Sequence, residues 1–112
     1  MIQIQLTING EKKTFRATDL CMRSSIDAYE LLRDYGKAEG DYDRDLIYRL
    51  EKFICGIFGD VFDCEDLESG YADSAFVLFP EMLREVIGHT HDAVVNFPKP
   101  AVTLPGIQGI SG

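Results

Sequence analysis

The stretch that decides the fold is residues 43–59, which read DRDLIYRLEKFICGIFG. Its apolar residues recur at intervals of three and four, the pattern of a helix with one buried face. They are Leu46, Ile47, Leu50, Phe53, Ile54, Ile57 and Phe58. Asp43 is placed to cap the start of this helix, and Gly59 is placed to end it. The surface of the helix is expected to carry Arg44, Asp45, Arg49, Glu51 and Lys52.

A β-hairpin is predicted at the N-terminal end of the chain. Residues 2–8 alternate apolar and polar side chains with the period of a strand that has one buried face. Asn9-Gly10 follows, a dipeptide that tolerates the positive φ angles of a type I′ turn, and residues 11–17 return as a second strand. Because an isolated hairpin is marginally stable in water, helices are expected to cover its apolar face.

Three further helical segments are predicted. One runs from about Met22 to Tyr35, with Gly36 as its stop. It carries Ile26, Tyr29, Leu32 and Tyr35 at helical spacing. Asp63 and Asp66 resemble a capping box that opens a short helix ending at Gly70. The last helix spans roughly residues 73–95, and Pro80 inside this range either kinks the helix or stands at its first position.

These elements predict an α+β fold that is mostly helical. An N-terminal β-hairpin is followed by three to four helices and an irregular C-terminal tail. The length of 112 residues fits one domain. We expect residues 1–95 to form a single helical domain with the hairpin at its start. Residues 96–112 are rich in proline and glycine, and we expect them to be an extended or disordered tail.

Charge excludes several classes of partner. The formal net charge is −8 and the sequence pI is near 4.6, which argues against nucleic acids and anionic membranes because both are polyanions. No apolar run approaches the roughly 18 residues of a membrane helix, and the N-terminus lacks the features of a signal peptide. The three cysteines match no zinc or redox spacing. A cytoplasmic protein with reduced thiols is expected.

Catalytic and metal sites are not predicted. His89 and His91, with Asp92 beside them, could contribute metal ligands, but no second ligand cluster accompanies them. The carboxylates of residues 60–73 do not follow the spacing of a calcium-binding EF-hand loop. A carboxylate pair of the glycosidase type stays open, although no cationic side chains gather beside it. No nucleophile elbow or phosphate-binding loop is present. We therefore expect no enzyme activity and no cofactor.

Surplus apolar surface is the remaining feature. Residues 76–79 read FVLF and are apolar on all sides of a full helical turn. Either this turn is central to the core, or one side of it meets a partner.

The order of these elements resembles a known family. The most specific part is residues 53–63, FICGIFGDVFD, which continue through Glu65-Asp66-Leu67 to Gly70. An aromatic-rich helix end, Phe-Gly, two variable residues, Phe, a capping residue, acidic residues and Gly follow one another in this order. The pattern is similar to that of the small tail assembly chaperones of long-tailed, siphovirus-type bacteriophages and of prophages of Gram-positive hosts. Asp60, Val61 and Asp63 depart from the polar amides and Thr cap common in that family.

The resemblance implies a function without catalysis. Such proteins bind the long, helical, aggregation-prone tape measure protein in the host cytoplasm and keep it soluble until tail-tube subunits polymerise around it. In many phages a programmed frameshift yields a longer form whose second domain recruits the tail-tube protein. Taken with the apolar surplus, this role predicts a partner-binding surface made of Phe58, Phe62, Phe76, Phe79, Met82 and Leu83.

Two questions stay open at this point. The chain could share its apolar helix faces with identical subunits and form a homo-oligomer. It could also be an acidic adaptor or inhibitor protein of a mobile element that acts by protein–protein contacts. A mimic of DNA would need carboxylates spread over an extended face, whereas here five of them lie within residues 61–80, where no basic residue occurs.

Overall fold

The chain begins with the predicted hairpin. In the computed structural model, which describes residues 2–18 and 20–89, β1 (Gln3–Ile8) pairs antiparallel with β2 (Glu11–Arg16). Asn9 and Gly10 connect the strands with φ angles of 54° and 80°, the left-handed backbone that a type I′ turn requires. The prediction of a hairpin with this turn is confirmed.

Four helices follow in the described residues, which confirms the predicted fold class. They are α1 (Met22–Lys37), α2 (Arg44–Ile57), α3 (Cys64–Gly70) and α4 (Ala75–Ile87). The predicted caps are present: the N–H of Leu46 donates to Oδ1 of Asp43 at 2.8 Å, and Asp63 and Asp66 exchange hydrogen bonds as a capping box. The predicted C-terminal tail lies outside the described residues.

The boundaries of two helices differ from the prediction. Gly36 does not end α1, which runs on to Lys37, because the chain reverses later at Glu39 and Gly40, both with positive φ. The last helix starts at Ala75, where the side chain of Ser74 accepts a hydrogen bond from the N–H of Phe76 at 3.2 Å. It ends at Ile87, well before residue 95.

Pro80 lies inside α4, so the alternative that placed it at the first helical position is wrong. A proline at this point has no N–H to offer the carbonyl of Phe76, four residues earlier. The hydroxyl of Tyr35 on α1 donates to that carbonyl oxygen instead, at 3.3 Å. A side chain of the neighbouring helix therefore satisfies the acceptor that the proline leaves open.

The core lies where the hairpin and the helices meet. Ile2, Ile4 and Leu6 point from the hairpin into this core. It is α3 that packs against β1, while α1 packs against α4 and α2 contacts both α1 and α3. The expectation of a helical cover over the hairpin is therefore met.

The contact between α3 and β1 is very close at Gly70. A Cβ atom added to this glycine would lie 2.7 Å from the carbonyl oxygen of Thr7 and 3.3 Å from its amide nitrogen. The obstructing atoms belong to the backbone of β1, which cannot move without shifting the hairpin. Gly70 therefore sets the distance at which α3 lies on the sheet.

Gly70→Ala is expected to lower the free energy of unfolding by about 1–3 kcal/mol, the usual cost of forcing an extra methyl group into a packed contact. Gly36→Ala is the matched control, because nothing lies within 4 Å of a Cβ atom at that helical position. The control should be neutral or slightly stabilising. Urea unfolding followed by circular dichroism measures both, and equal stability of the two variants would contradict the close contact.

Tyr35→Phe is expected to destabilise the protein by about 1 kcal/mol, because the Phe76 carbonyl loses its donor. Pro80→Ala restores a backbone N–H that can reach the same carbonyl. The cost of Tyr35→Phe should therefore shrink in the Pro80→Ala background. A double-mutant cycle of unfolding free energies measures this coupling, and strictly additive effects would show that the hydroxyl and the proline are unrelated.

Candidate functional site

Five of the six predicted partner-binding residues lie in the core. Phe58, Phe62, Phe79, Met82 and Leu83 are all buried. Phe76 is different, because 49% of its surface is exposed. The FVLF turn lies only partly in the core: Leu78 and Phe79 are buried, while Phe76 and Val77 face outward, and a partner on that outer side stays a prediction. A partner-binding role for the six stays a prediction, but Phe76 is the side chain among them that a partner can reach without rearrangement of the core.

Phe76 borders a groove of about 260 Å³ between α2, α3 and the start of α4. The groove is open to solvent on one side and has mainly apolar walls. They are formed by Ile47, Leu67, Tyr71, Ala75, Phe76, Leu78 and Phe79, with Arg44, Glu51, Glu68 and Asp73 as the charged residues. An apolar surface with a few charged groups is typical of a place where another molecule docks.

A stack of aromatic rings holds Phe76 in place. The rings of Tyr35 and Tyr42 lie parallel with their centroids 4.3 Å apart, and the ring of Tyr42 stacks on Phe76 at 5.3 Å. Phe79 meets Phe76 edge to face at 6.3 Å. Burial, with a hydrogen bond to Tyr42, raises the pKa of Tyr35 to about 12. Phe76 is thus exposed but positioned, as a preformed contact requires.

Glu51 is buried, so the prediction that it lies on the surface of its helix is wrong. Only 3% of this residue is exposed, and in the described part of the chain its Oε1 atom has no hydrogen-bond partner. Burial, together with the neighbouring Glu68, raises the pKa of Glu51 to about 7. The hydrogen bond from Glu51 and the guanidinium of Arg44 hold the pKa of Glu68 below its ordinary value. Nη2 of Arg44 lies 2.6 Å from Oε2 of Glu68.

A signal for the burial of Glu51 was present in the sequence. Glu51 follows Ile47 by four residues and precedes Ile54 by three, so it lies within the apolar stripe of α2. Arg44 and Tyr71 were also missed as groove residues. Their positions depend on how α2 and α3 pack together, which the pattern of either helix alone does not specify.

The outer face of α1 is a second apolar surface. Met22, Ile26 and Tyr29 are each more than half exposed and lie one helical turn apart along the helix. The opposite face of α1 carries Ala28, Leu31 and Tyr35 into the core. The predicted stripe of α1 comprised Ile26, Tyr29, Leu32 and Tyr35. Of these, Tyr35 is buried and Leu32 is partly buried, whereas Ile26 and Tyr29 are exposed.

The remaining candidate chemistry does not form a site in the described residues. All three cysteines are free thiols. Burial, followed by the effect of Cys64, raises the pKa of Cys55 to about 12, which leaves it unreactive. No group of three or more His, Cys, Asp or Glu side chains within residues 2–18 and 20–89 could hold a metal ion. His91 and Asp92 lie outside the described residues.

The helices of the described part of the chain are all too short or too polar to span a membrane.

Comparison with known proteins identifies a family. A family model described as phage tail chaperone protein matches residues 1–96. The chain matches no curated protein and no solved structure. The match covers the hairpin, all four helices and therefore the whole groove.

The stability of the protein is expected to fall between pH 4.5 and about 7. In this window the folded chain keeps the proton of Glu51, whereas the unfolded chain, with the ordinary pKa of 4.5, has lost it. Raising the pH therefore favours unfolding, and the penalty is complete above about pH 7. In the described part of the chain, the titratable or charged groups around Glu51 are Arg44, Cys64, Glu68, Tyr71 and Asp73.

Glu51→Gln should remove this dependence, because the amide stays neutral and can donate to Glu68 as the protonated acid does. At pH 8 the variant should be more stable than the wild type by roughly 1–3 kcal/mol, because only the wild type has to hold an ionised side chain in this buried position beside Glu68. At pH 4.5 the two should be equal. Glu30→Gln, at an exposed position on α1, controls for the loss of one carboxylate. If the unfolding free energies of the wild type and Glu51→Gln changed with pH in the same way, Glu51 would not be the group that causes the pH dependence.

Proposed function

The chain belongs to the phage tail chaperone family, and we propose that it binds the tape measure protein of its phage and keeps it soluble during assembly of the tail tube. The observation that carries the proposal, beside family membership, is the preformed groove bordered by Phe76. A helical client presents apolar side chains at intervals of three and four residues. Grooves between packed helices receive such side chains.

The electrostatics of the chain support a solubilising role. Its net charge of −8 on 112 residues makes copies of the protein repel one another. A complex with an aggregation-prone client carries this charge as well, so complexes also repel one another. Most of the net negative charge comes from α3 and the residues around it. Glu68 and Asp73 of this segment line the groove, whereas Asp63 and Glu65 are exposed outside it.

We assign this binding to the host cytoplasm and assign no catalytic step to the chain. Contact with the tail-tube protein would belong to a frameshifted longer form with a second domain, as the resemblance implies.

Phe76→Asp is expected to reduce the recovery of soluble tape measure protein about tenfold or more when the two proteins are produced together. The substitution removes an apolar contact and places a charge at the edge of the groove. The fold should survive, because Phe76 is half exposed and an acidic residue in the first turn of a helix is favourable. Affinity capture of the chaperone, followed by quantification of the client, measures the effect.

Tyr48→Asp is the matched control, since Tyr48 is 52% exposed on α2 and lies outside the groove. It should leave recovery unchanged. If wild-type chaperone captures no tape measure protein that is shown to be soluble, the proposed function is wrong. If Tyr48→Asp and Phe76→Asp act alike, binding occurs elsewhere on the surface.

A further inference from the structure

The groove contains a feature that an apolar client alone would not need, and it is the buried Glu51. Its Oε1 atom is enclosed and has no hydrogen-bond partner in the described residues. Buried polar atoms in folded proteins almost always have a partner, because an unpaired one costs free energy. A groove residue with an unused acceptor indicates a donor that is supplied by the bound molecule.

The charges around the groove indicate which donor this is. Glu51, Glu68 and Asp73 are its three acidic residues, and Arg44 is its one basic residue within the described chain. Arg44 is already paired with Glu68 at 2.6 Å. Asp73 and Glu51 are therefore the carboxyl groups left to attract a cation, and of these Glu51 alone is buried, where the attraction is stronger than in water.

The size of the groove indicates a side chain and not a small molecule. Its volume of about 260 Å³ lies below the range of about 300–1,000 Å³ that is usual for small-molecule sites. Lysine and arginine carry a long apolar stem with a cationic donor at the end. The stem suits Leu67 and Leu78 on the apolar walls, and the donor suits Glu51.

We propose that the groove recognises a lysine or arginine within an amphipathic helix of the client, whose cation donates a hydrogen bond to the carboxyl group of Glu51. This inference rests on the proposed function and adds a rule for which segments of the client are recognised. The neighbouring apolar side chains of the same helix then contact Phe76 and Tyr71 at the rim.

Proton release is a consequence of this contact. A cation beside Glu51 favours the ionised carboxylate. Since the pKa of free Glu51 is about 7, part of the population loses a proton when the client binds near neutral pH. An apolar client that does not reach Glu51 leaves the proton in place.

The test uses the full chain and overlapping peptides that tile the tape measure protein encoded by the same phage. Isothermal titration of the tightest-binding peptide, in two buffers of different ionisation enthalpy at pH 7, gives its affinity and the number of protons released. We expect this peptide to contain a lysine or arginine among apolar residues. Glu51→Gln should weaken its binding about tenfold or more, as expected for one charge-assisted hydrogen bond, and should abolish proton release.

A second measurement does not depend on the folding of a variant. Wild-type protein is titrated with the same peptide in which norleucine replaces the lysine, or citrulline replaces the arginine. Binding should weaken by a similar factor, and this analogue should not discriminate between the wild type and Glu51→Gln. Glu30→Gln, on α1, should bind the original peptide as the wild type does.

The outcomes separate the two proposals. Peptides that bind the wild type and Glu51→Gln equally, with no proton released, overturn the recognition of a cation and leave the chaperone function standing. If no peptide binds and the intact tape measure protein is not captured either, the proposed function itself fails.

Discussion

The structure depends on the close approach between the last turn of α3 and the backbone of β1. A two-stranded hairpin cannot hold its apolar face out of water, so Ile4 and Leu6 need a cover. At Gly70 the cover reaches the backbone of Thr7 so closely that no side chain fits between them. This contact joins the hairpin to the helices and fixes the orientation of α3, which forms one wall of the groove.

A second constraint places the opposite wall. Pro80 has no N–H to donate within α4, so the carbonyl of Phe76 lacks its usual partner. The hydroxyl of Tyr35 donates a hydrogen bond to that carbonyl instead. The same tyrosine stacks on Tyr42, which in turn stacks on Phe76. Phe76 is therefore held at the surface by its neighbours in the core. Both walls of the groove are thus positioned by contacts with other parts of the fold. Glu51 of α2 lines the groove between them.

Sequence patterns predicted the elements and their caps well, because those depend on neighbours within a few residues. Asn9-Gly10, Asp43 and the pair Asp63 and Asp66 all act locally. The faces of the helices were predicted less well. Ile26 and Tyr29 matched the spacing of a buried stripe, yet they are exposed. Ala28 and Leu31, on the opposite face of α1, are buried in the core instead. A helix with two apolar faces cannot be oriented from its periodicity alone.

The candidate site was harder to predict for the same physical reason. Aromatic content favoured Phe58 and Phe62 as contact residues, but large apolar side chains fill cores as readily as they bind partners. Glu51 was assigned to the surface because it is charged, although its position within the apolar stripe indicated burial. Which residues border the groove depends on how α2, α3 and α4 are arranged around it, and these helices are separate in sequence.

The function proposed for this chain requires that a client helix occupies the groove between α2, α3 and the start of α4. Nuclear magnetic resonance of the isotope-labelled full chain, titrated with a binding segment of the tape measure protein, tests it residue by residue. We expect the amide signals of Ile47, Glu51, Leu67, Tyr71 and Phe76 to shift or broaden and those of Met22, Ile26 and Tyr29 to stay unchanged. Perturbations confined to the outer face of α1, with the groove signals unchanged, would contradict it.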